Sequence, residues 1–88
     1  MGIMEIKLQA ATVAPIYAQI RDQIEAQVVN GTIAHGSTLT PPAALAQKLS
    51  TDTGEVQRAY FELVRSGLVS SRKSKDFLGK ERTVYTVI

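Results

Sequence analysis

The sequence has no cysteine and a single histidine, His35. Without cysteine there is no disulfide, no thiolate metal site and no Cys nucleophile, and a reducing compartment is permitted. His35 falls in His35-Gly36-Ser37, a turn, with no partner in view for a ligand or base role. No apolar run approaches the roughly 18 residues of a membrane span. The opening Met1-Gly2-Ile3-Met4-Glu5 lacks the basic region and apolar stretch of a secretory signal. Ile6 stands where a myristoylation motif wants Ser or Thr. There is no nucleophile–base–acid set, no phosphate-cradling glycine loop and no metal-ligand spacing. These absences argue against an enzyme, a cofactor, a metal and a membrane partner, and lead us to expect a soluble cytoplasmic protein.

What remains is an ordinary globular composition, 44% hydrophobic and 20% charged over 88 residues, without repeats or low-complexity stretches. That length suits one domain, expected over 1–88, which buries only roughly two-thirds of its unfolded surface. The net charge is only +2, but it is unevenly spread. Through residue 70, Lys7, Arg21, Lys48, Arg58 and Arg65 face six acids. Beyond it, Arg72, Lys73, Lys75, Lys80 and Arg82 face only Asp76 and Glu81. A basic end of this kind suits phosphates, or serves as a solvated hairpin tip.

Hydrophobic periodicity sets the element order. Met4, Ile6 and Leu8 alternate with polar residues, predicting a short N-terminal strand. Pro15 suits the first position of a helix in which Ile16, Ile20, Ile24 and Val28 recur at spacing four, with Tyr17 beside them. Gln19, Arg21, Asp22 and Glu25 fall on its other side, and Asn30-Gly31 supplies a stop. A second helix opens at Thr40-Pro41-Pro42, with Thr40 as N-cap and Leu45, Ala46 and Leu49 inward. After a turn at Ser50-Thr51, Asp52 and Glu55 form a capping-box pattern. The third helix then carries Val56, Ala59, Tyr60, Leu63 and Val64 as far as Gly67. Leu68 and Val69 enter one strand and 83–88 alternate as another, with a basic loop from Lys73 to Arg82 between them. The expected fold is α+β: a winged helix-turn-helix of three helices and a small antiparallel hairpin. The helix-turn-helix is expected over 41–66 and the wing over 68–88. The expected core is Ile16, Tyr17, Ile20, Ile24, Leu45, Leu49, Val56, Tyr60, Leu63, Leu68 and Val84.

Several of these residues form a co-linear set: Pro15 to Ile20, Gly31, Gly36, Leu39, Pro41, Leu45-Ala46, Val56 to Tyr60, Leu63 and Gly67 to Val69. The set resembles the N-terminal winged helix of the GntR family, over about residues 4–72. The resemblance implies a dimeric regulator whose third helix enters the major groove while the wing touches the flanking backbone. It also implies an effector-binding domain after the wing. The sequence departs from the family where DNA would be touched. Ala43 stands where the family usually has Arg, and the third helix opens Asp52-Thr53-Gly54-Glu55-Val56 where the family has Ser-Arg-x-Thr-Val. In the wing, Ser74-Lys75-Asp76 replaces Gly-x-Gly.

Ala43 and Thr53 cannot make the bidentate contacts of Arg, and carboxylates at Asp52 and Glu55 occupy a helix N-terminus that would otherwise attract phosphate. The residues left to meet double-stranded DNA are Lys48, Ser50, Thr51, Thr53, Gln57, Arg58, Arg72, Lys73, Lys75 and Lys80. Gln57 suits adenine, and Arg58 suits a base or phosphate unless it pairs with Glu62. So few cations favour a homodimer. Two functions stay open. One is a transcription regulator that binds DNA. The other is a winged helix that regulates transcription by docking on another protein through its wing or helix faces, a use that the apolar pair Phe77-Leu78 in the wing would suit.

Overall fold

The structure, a computed structural model, describes residues 6–9 and 13–88. Its elements run α1 (Ile16–Val29), α2 (Pro42–Leu49), α3 (Thr53–Arg65), β1 (Val69–Lys75) and β2 (Glu81–Val87). This is the expected winged helix-turn-helix.

Spacing four carries α1. Ile20, Ile24 and Val28 are buried in line along one face, and Gly31, with φ 84°, takes the left-handed position that ends the helix. Pro15 is the N-cap residue rather than the first helical one, with φ −59° and ψ 154°. Gln19 does not face solvent as its polarity predicts. It is 9% exposed, and with Gln23 it holds the segment before the helix.

The described residues of that segment, 6–9, pair with no strand. The Lys7 N–H donates to Gln23 Oε1 at 2.8 Å, and Gln23 Nε2 donates back to the Lys7 carbonyl at 2.7 Å. One turn away the Gln9 N–H donates to Gln19 Oε1 at 2.7 Å, while Gln19 Nε2 reaches the carbonyls of Gln9 and Ala14. Two extended residues advance about 6.6 Å and four helical residues about 6 Å, so alternate backbone amides meet side-chain amides one turn apart. Ile6 and Leu8 then pack against the core, as their alternation predicts. Met4, the first residue of the expected strand, lies outside the described residues.

Thr40 does not cap α2. The residue before a proline is disfavoured from helical geometry, and Pro41 precedes Pro42. Pro41 is therefore extended, with φ −55° and ψ 145°, and the helix begins at Pro42. The Thr40 carbonyl instead accepts from the Tyr60 hydroxyl at 2.6 Å. Tyr60 is fully buried, meets Tyr85 edge to face at 4.9 Å, and its phenol is pushed above its usual pKa by desolvation.

β1 and β2 pair antiparallel from Val69↔Val87 out to Lys75↔Glu81. The ladder is longer than expected, because the polar residues at 73–75 and 81–82 pair through their backbones and leave only 76–80 as the turn. A further stretch joins the sheet: Thr38 bridges Thr86, Leu39 N–H donates to the Tyr85 carbonyl, and Val87 N–H donates to the Ser37 carbonyl. His35 Nδ1 lies 2.7 Å from the Ile88 carbonyl, closing the same edge.

Among the expected core residues, Ile20, Ile24, Leu45, Val56, Tyr60 and Leu63 are buried. Ile16, Tyr17, Leu49 and Leu68 are half-buried at its rim. The phase of β2 differs from expectation: Val87 is buried and Tyr85 packs on the core, while Val84 lies on the opposite face. A slip of one residue exchanges the two faces of a strand.

Candidate nucleic-acid interface

The helix-turn-helix corner is set by one backbone choice. Ser50 ends α2 in the left-handed conformation, φ 55°, with its N–H on the Gln47 carbonyl, and the Thr51 N–H reaches the Ala46 carbonyl. This tight reversal brings Lys48, in the last turn of α2, and the 50–53 turn beside the start of α3. Lys48 and Ser50 are exposed, and Thr51 and Thr53 are half-buried. Ala43 is exposed on α2.

At about 100° per residue, burying Val56, Ala59, Tyr60 and Leu63 turns Gly54, Arg58, Phe61 and Arg65 outward, with Gln57 at the margin. Gln57 and Arg58 were expected on this face. Phe61 and Arg65 were not singled out, although the helical period that defines the core also places them opposite it. Phe61 is 59% exposed, a large apolar side chain between two cations on the outward stripe of the helix.

The opening of α3 is not a reciprocal capping box. Asp52 accepts from Gly54 N–H at a long 3.4 Å. The Glu55 carboxylate does not bend back. Its Oε2 accepts from the Tyr17 N–H at 2.9 Å, capping the first turn of α1 across 38 residues of sequence. Because Pro15 has no side chain able to cap, the first turn of α1 has free N–H groups, and Glu55 satisfies one while placing its charge at the positive end of the helix.

Arg58 is likewise held by α1. Its guanidinium lies 4.1 Å from the centroid of the Tyr17 ring, a cation–π contact rather than the alternative pair with Glu62 that spacing left open. Arg21 approaches the same ring at 5.9 Å and pairs with Asp22 at 3.0 Å. Tyr17 is thus a half-buried platform rather than an interior residue.

Arg72, Lys73, Lys75 and Lys80 are all exposed along the wing, together with Arg82, which was not among the expected contacts. Opposed residues of a ladder share a face, so Arg72, Ser74, Arg82 and Val84 lie on one side, and Lys73, Lys75, Glu81 and Thr83 on the other. Among the described residues, no cluster of three or more acids and histidines is placed to hold a metal, and no helix is long and apolar enough to cross a membrane. An open groove of about 460 Å³ beside α1 is lined by Lys7, Gln9, Gln19, Asp22 and Gln23. It includes none of the expected contact residues.

The sequence profile described as "Bacterial regulatory proteins, gntR family" matches residues 16–77, from α1 into the tip of the wing. The chain belongs to the GntR family. It is 33% identical over 61 residues to the uncharacterized HTH-type transcriptional regulator YhcF of Bacillus subtilis (strain 168). That alignment takes in 69% of this chain and 50% of YhcF, so the chain spans about half the length of this curated relative. Its fold is similar to YtrA from Sulfolobus acidocaldarius, a GntR-family transcription factor, with a TM-score of 0.80 and 29% identity over 93% of this chain and 78% of that one. AraR(DBD) in complex with operator ORX1 shares the fold at a TM-score of 0.70 and 20% identity, over 97% of this chain and 96% of that one. The family match thus takes in α1, α2, α3 and β1, and with them Ala43 and Thr53, the positions where the resemblance leads one to expect Arg.

Proposed function

We propose that this GntR-family domain binds double-stranded DNA as the DNA-reading part of a cytoplasmic transcription regulator, acting as a homodimer. The supporting observation is the outward stripe of α3, where Arg58 and Arg65 lie opposite the core with exposed Gln57 at its margin, in a chain whose hairpin carries five exposed cations. In this reading α3 lies in the major groove. Gln57 and Arg58 address base edges, Lys48, Ser50, Thr51 and Thr53 position the turn on phosphates, and Arg72, Lys73, Lys75 and Lys80 follow the flanking backbone. Release of Arg58 from Tyr17 accompanies base contact and costs little, since an exposed cation–π contact is worth about 0.5–1 kcal/mol.

The test is enrichment of duplexes from a random pool, followed by titration at several salt concentrations. Affinity is expected to fall with salt at a shallow slope, equivalent to roughly three to five phosphates per protomer. A stoichiometry of two protomers per enriched duplex supports the dimer. Absence of duplex binding at low salt overturns the reading. The second reading, a winged helix that docks on a protein, is favoured by one feature: Phe61 is exposed on the outward face of α3, an apolar side chain on a helix whose N-cap is Asp52 and whose first turn carries Glu55. Its sign is a partner lost on Phe61→Ser while duplex binding is absent from both forms.

A further inference from the structure

The tip of the wing combines two properties that rarely coincide: it is apolar and it is held in shape. Phe77 is 96% exposed and Leu78 69%, adjacent in sequence and far from the buried base of the hairpin. Single exposed apolar residues are common, but two neighbours projected together by a fixed turn are not explained by folding. Asp76 does the fixing. Its Oδ1 accepts from the N–H groups of both Leu78 and Lys80 at 2.9 Å, and its backbone bonds Lys80 and Gly79 at 3.0 Å each. Gly79, at φ 80°, supplies the left-handed residue that lets the chain return. The carboxylate is thereby engaged within the turn, and Lys75 and Lys80 flank an apolar pair that is already ordered before any partner arrives.

A surface that fits this tip has two rails of negative charge with apolar or stackable atoms between them. A duplex minor groove has that form: it is about 6 Å wide, walled by phosphates and floored by sugar and base edges. Apolar side chains that enter it pry open a base step and kink the duplex. We propose that Phe77 and Leu78 form a wedge that enters the minor groove beside the α3 site, with Lys75 and Lys80 on the two phosphate walls. The wedge makes the domain selective for flanks that unstack easily, pyrimidine–purine steps such as TA above all, without a hydrogen bond to any base. This rests on the DNA-binding reading above and adds a means of recognition that the cations alone do not provide.

The experiment uses the 88-residue chain, its Phe77→Ser/Leu78→Ser variant, and the enriched duplex with 2-aminopurine at successive flanking steps. Both side chains are exposed, so the variant is expected to melt with the parent. Wild type is expected to brighten 2-aminopurine at one flanking step and to prefer TA over AA there at least fivefold. The variant is expected to lose the brightening and the preference, and to bind at least tenfold more weakly. Its salt slope stays unchanged, because no cation has been removed. A variant that binds the duplex as wild type does, with the same fluorescence, overturns the wedge and leaves DNA binding standing. No duplex bound by wild type overturns both. The tip also matches a bilayer with acidic headgroups over an apolar interior. Binding to phosphatidylglycerol vesicles that needs Phe77 and Leu78, with duplex affinity untouched by the variant, overturns the wedge in favour of a lipid surface.

Discussion

At the opening of α3 the charged side chains work for the fold, whereas along the wing, among the described residues, no cationic side chain has a partner within the chain. Asp52 holds Gly54, Glu55 caps α1 through Tyr17, and Arg58 rests on the Tyr17 ring. The wing cations extend from a ribbon that is buried only at its base, where Val69 meets Val87. On the proposed DNA-binding function, a substitution in the first region therefore alters stability and recognition together, and one in the second alters recognition alone. Ordered by expected loss of stability, variants across the two regions test this division.

The largest effect belongs beneath the helix-turn-helix. Leu45 is 2% exposed and belongs to the shared core of the three helices. Leu45→Ala should cost about 2–5 kcal/mol in urea melts, as buried leucine truncations do. A loss below about 0.5 kcal/mol, the scale of surface changes, would mean that α2 is not packed as described.

Next comes Glu55, where the comparison is sharpest. Glu55→Ala removes the cap on the Tyr17 N–H and should cost about 1–2 kcal/mol, while Glu55→Gln, which keeps an acceptor, should recover much of that. Like-charge approach of a phosphate to a carboxylate at roughly 5 Å costs on the order of 1–3 kcal/mol at an effective dielectric of 20 to 80. Thr53→Arg with Glu55→Thr removes that repulsion and adds a bidentate donor. It should raise low-salt affinity for random duplex at least tenfold while lowering the melting temperature. A gain in affinity with no loss of stability would show that the cap on α1 contributes nothing. Asp52→Ala should cost less, about 0.5 kcal/mol, because its bond to Gly54 is long at 3.4 Å. Equal losses for Asp52→Ala and Glu55→Ala would dissolve the distinction between a local and a tertiary cap.

The difference between those two carboxylates also marks what was legible in the sequence. Ile20, Ile24 and Val28, or Val56, Ala59, Tyr60 and Leu63, reveal their faces because one periodicity spans several turns. The Asp52-x-x-Glu55 pattern reads the same whether the glutamate bends back or reaches another helix. Only the approach of α1 decides, and no local rule encodes it. Gln19 and Gln23 look like solvent-facing residues until an extended segment arrives to pair with them. At 83–88 almost every residue suits a strand interior, so alternation could not choose between Val84 and Tyr85; the edge contact with Tyr60 chooses Tyr85. Gln57, Arg58 and the wing cations were legible as exposed, since charge and helical phase agree there. Phe61 was equally legible from phase, which sets it opposite Val56, Ala59, Tyr60 and Leu63, but a choice of contacts by polar and charged residue type passed over it.

The smallest effect on stability should come from the wing. In Lys73→Ala/Lys75→Ala/Lys80→Ala, Lys75 is the ladder neighbour of Glu81 without an ion pair to it, so its loss costs at most roughly 0.2–1 kcal/mol. Relief of repulsion among three cations on one short ribbon offsets it. The net change in unfolding free energy should lie within about 0.5 kcal/mol, as for other surface changes. Binding should respond differently. Each cation that neutralises a phosphate contributes about 0.9 to the slope of log affinity against log salt. Removing three should flatten the slope by about two to three, with the loss of affinity greatest at low salt, where counterion release is most favourable. The measurement is a titration of the enriched duplex at four salt concentrations beside a urea melt of the same protein. An unchanged slope would remove these lysines from the contact surface and leave Arg72, Arg82 and the helix-turn-helix to meet the backbone. A large stability loss would instead mean that the ribbon depends on its charges for its shape, and the division between the two regions would fail at the wing.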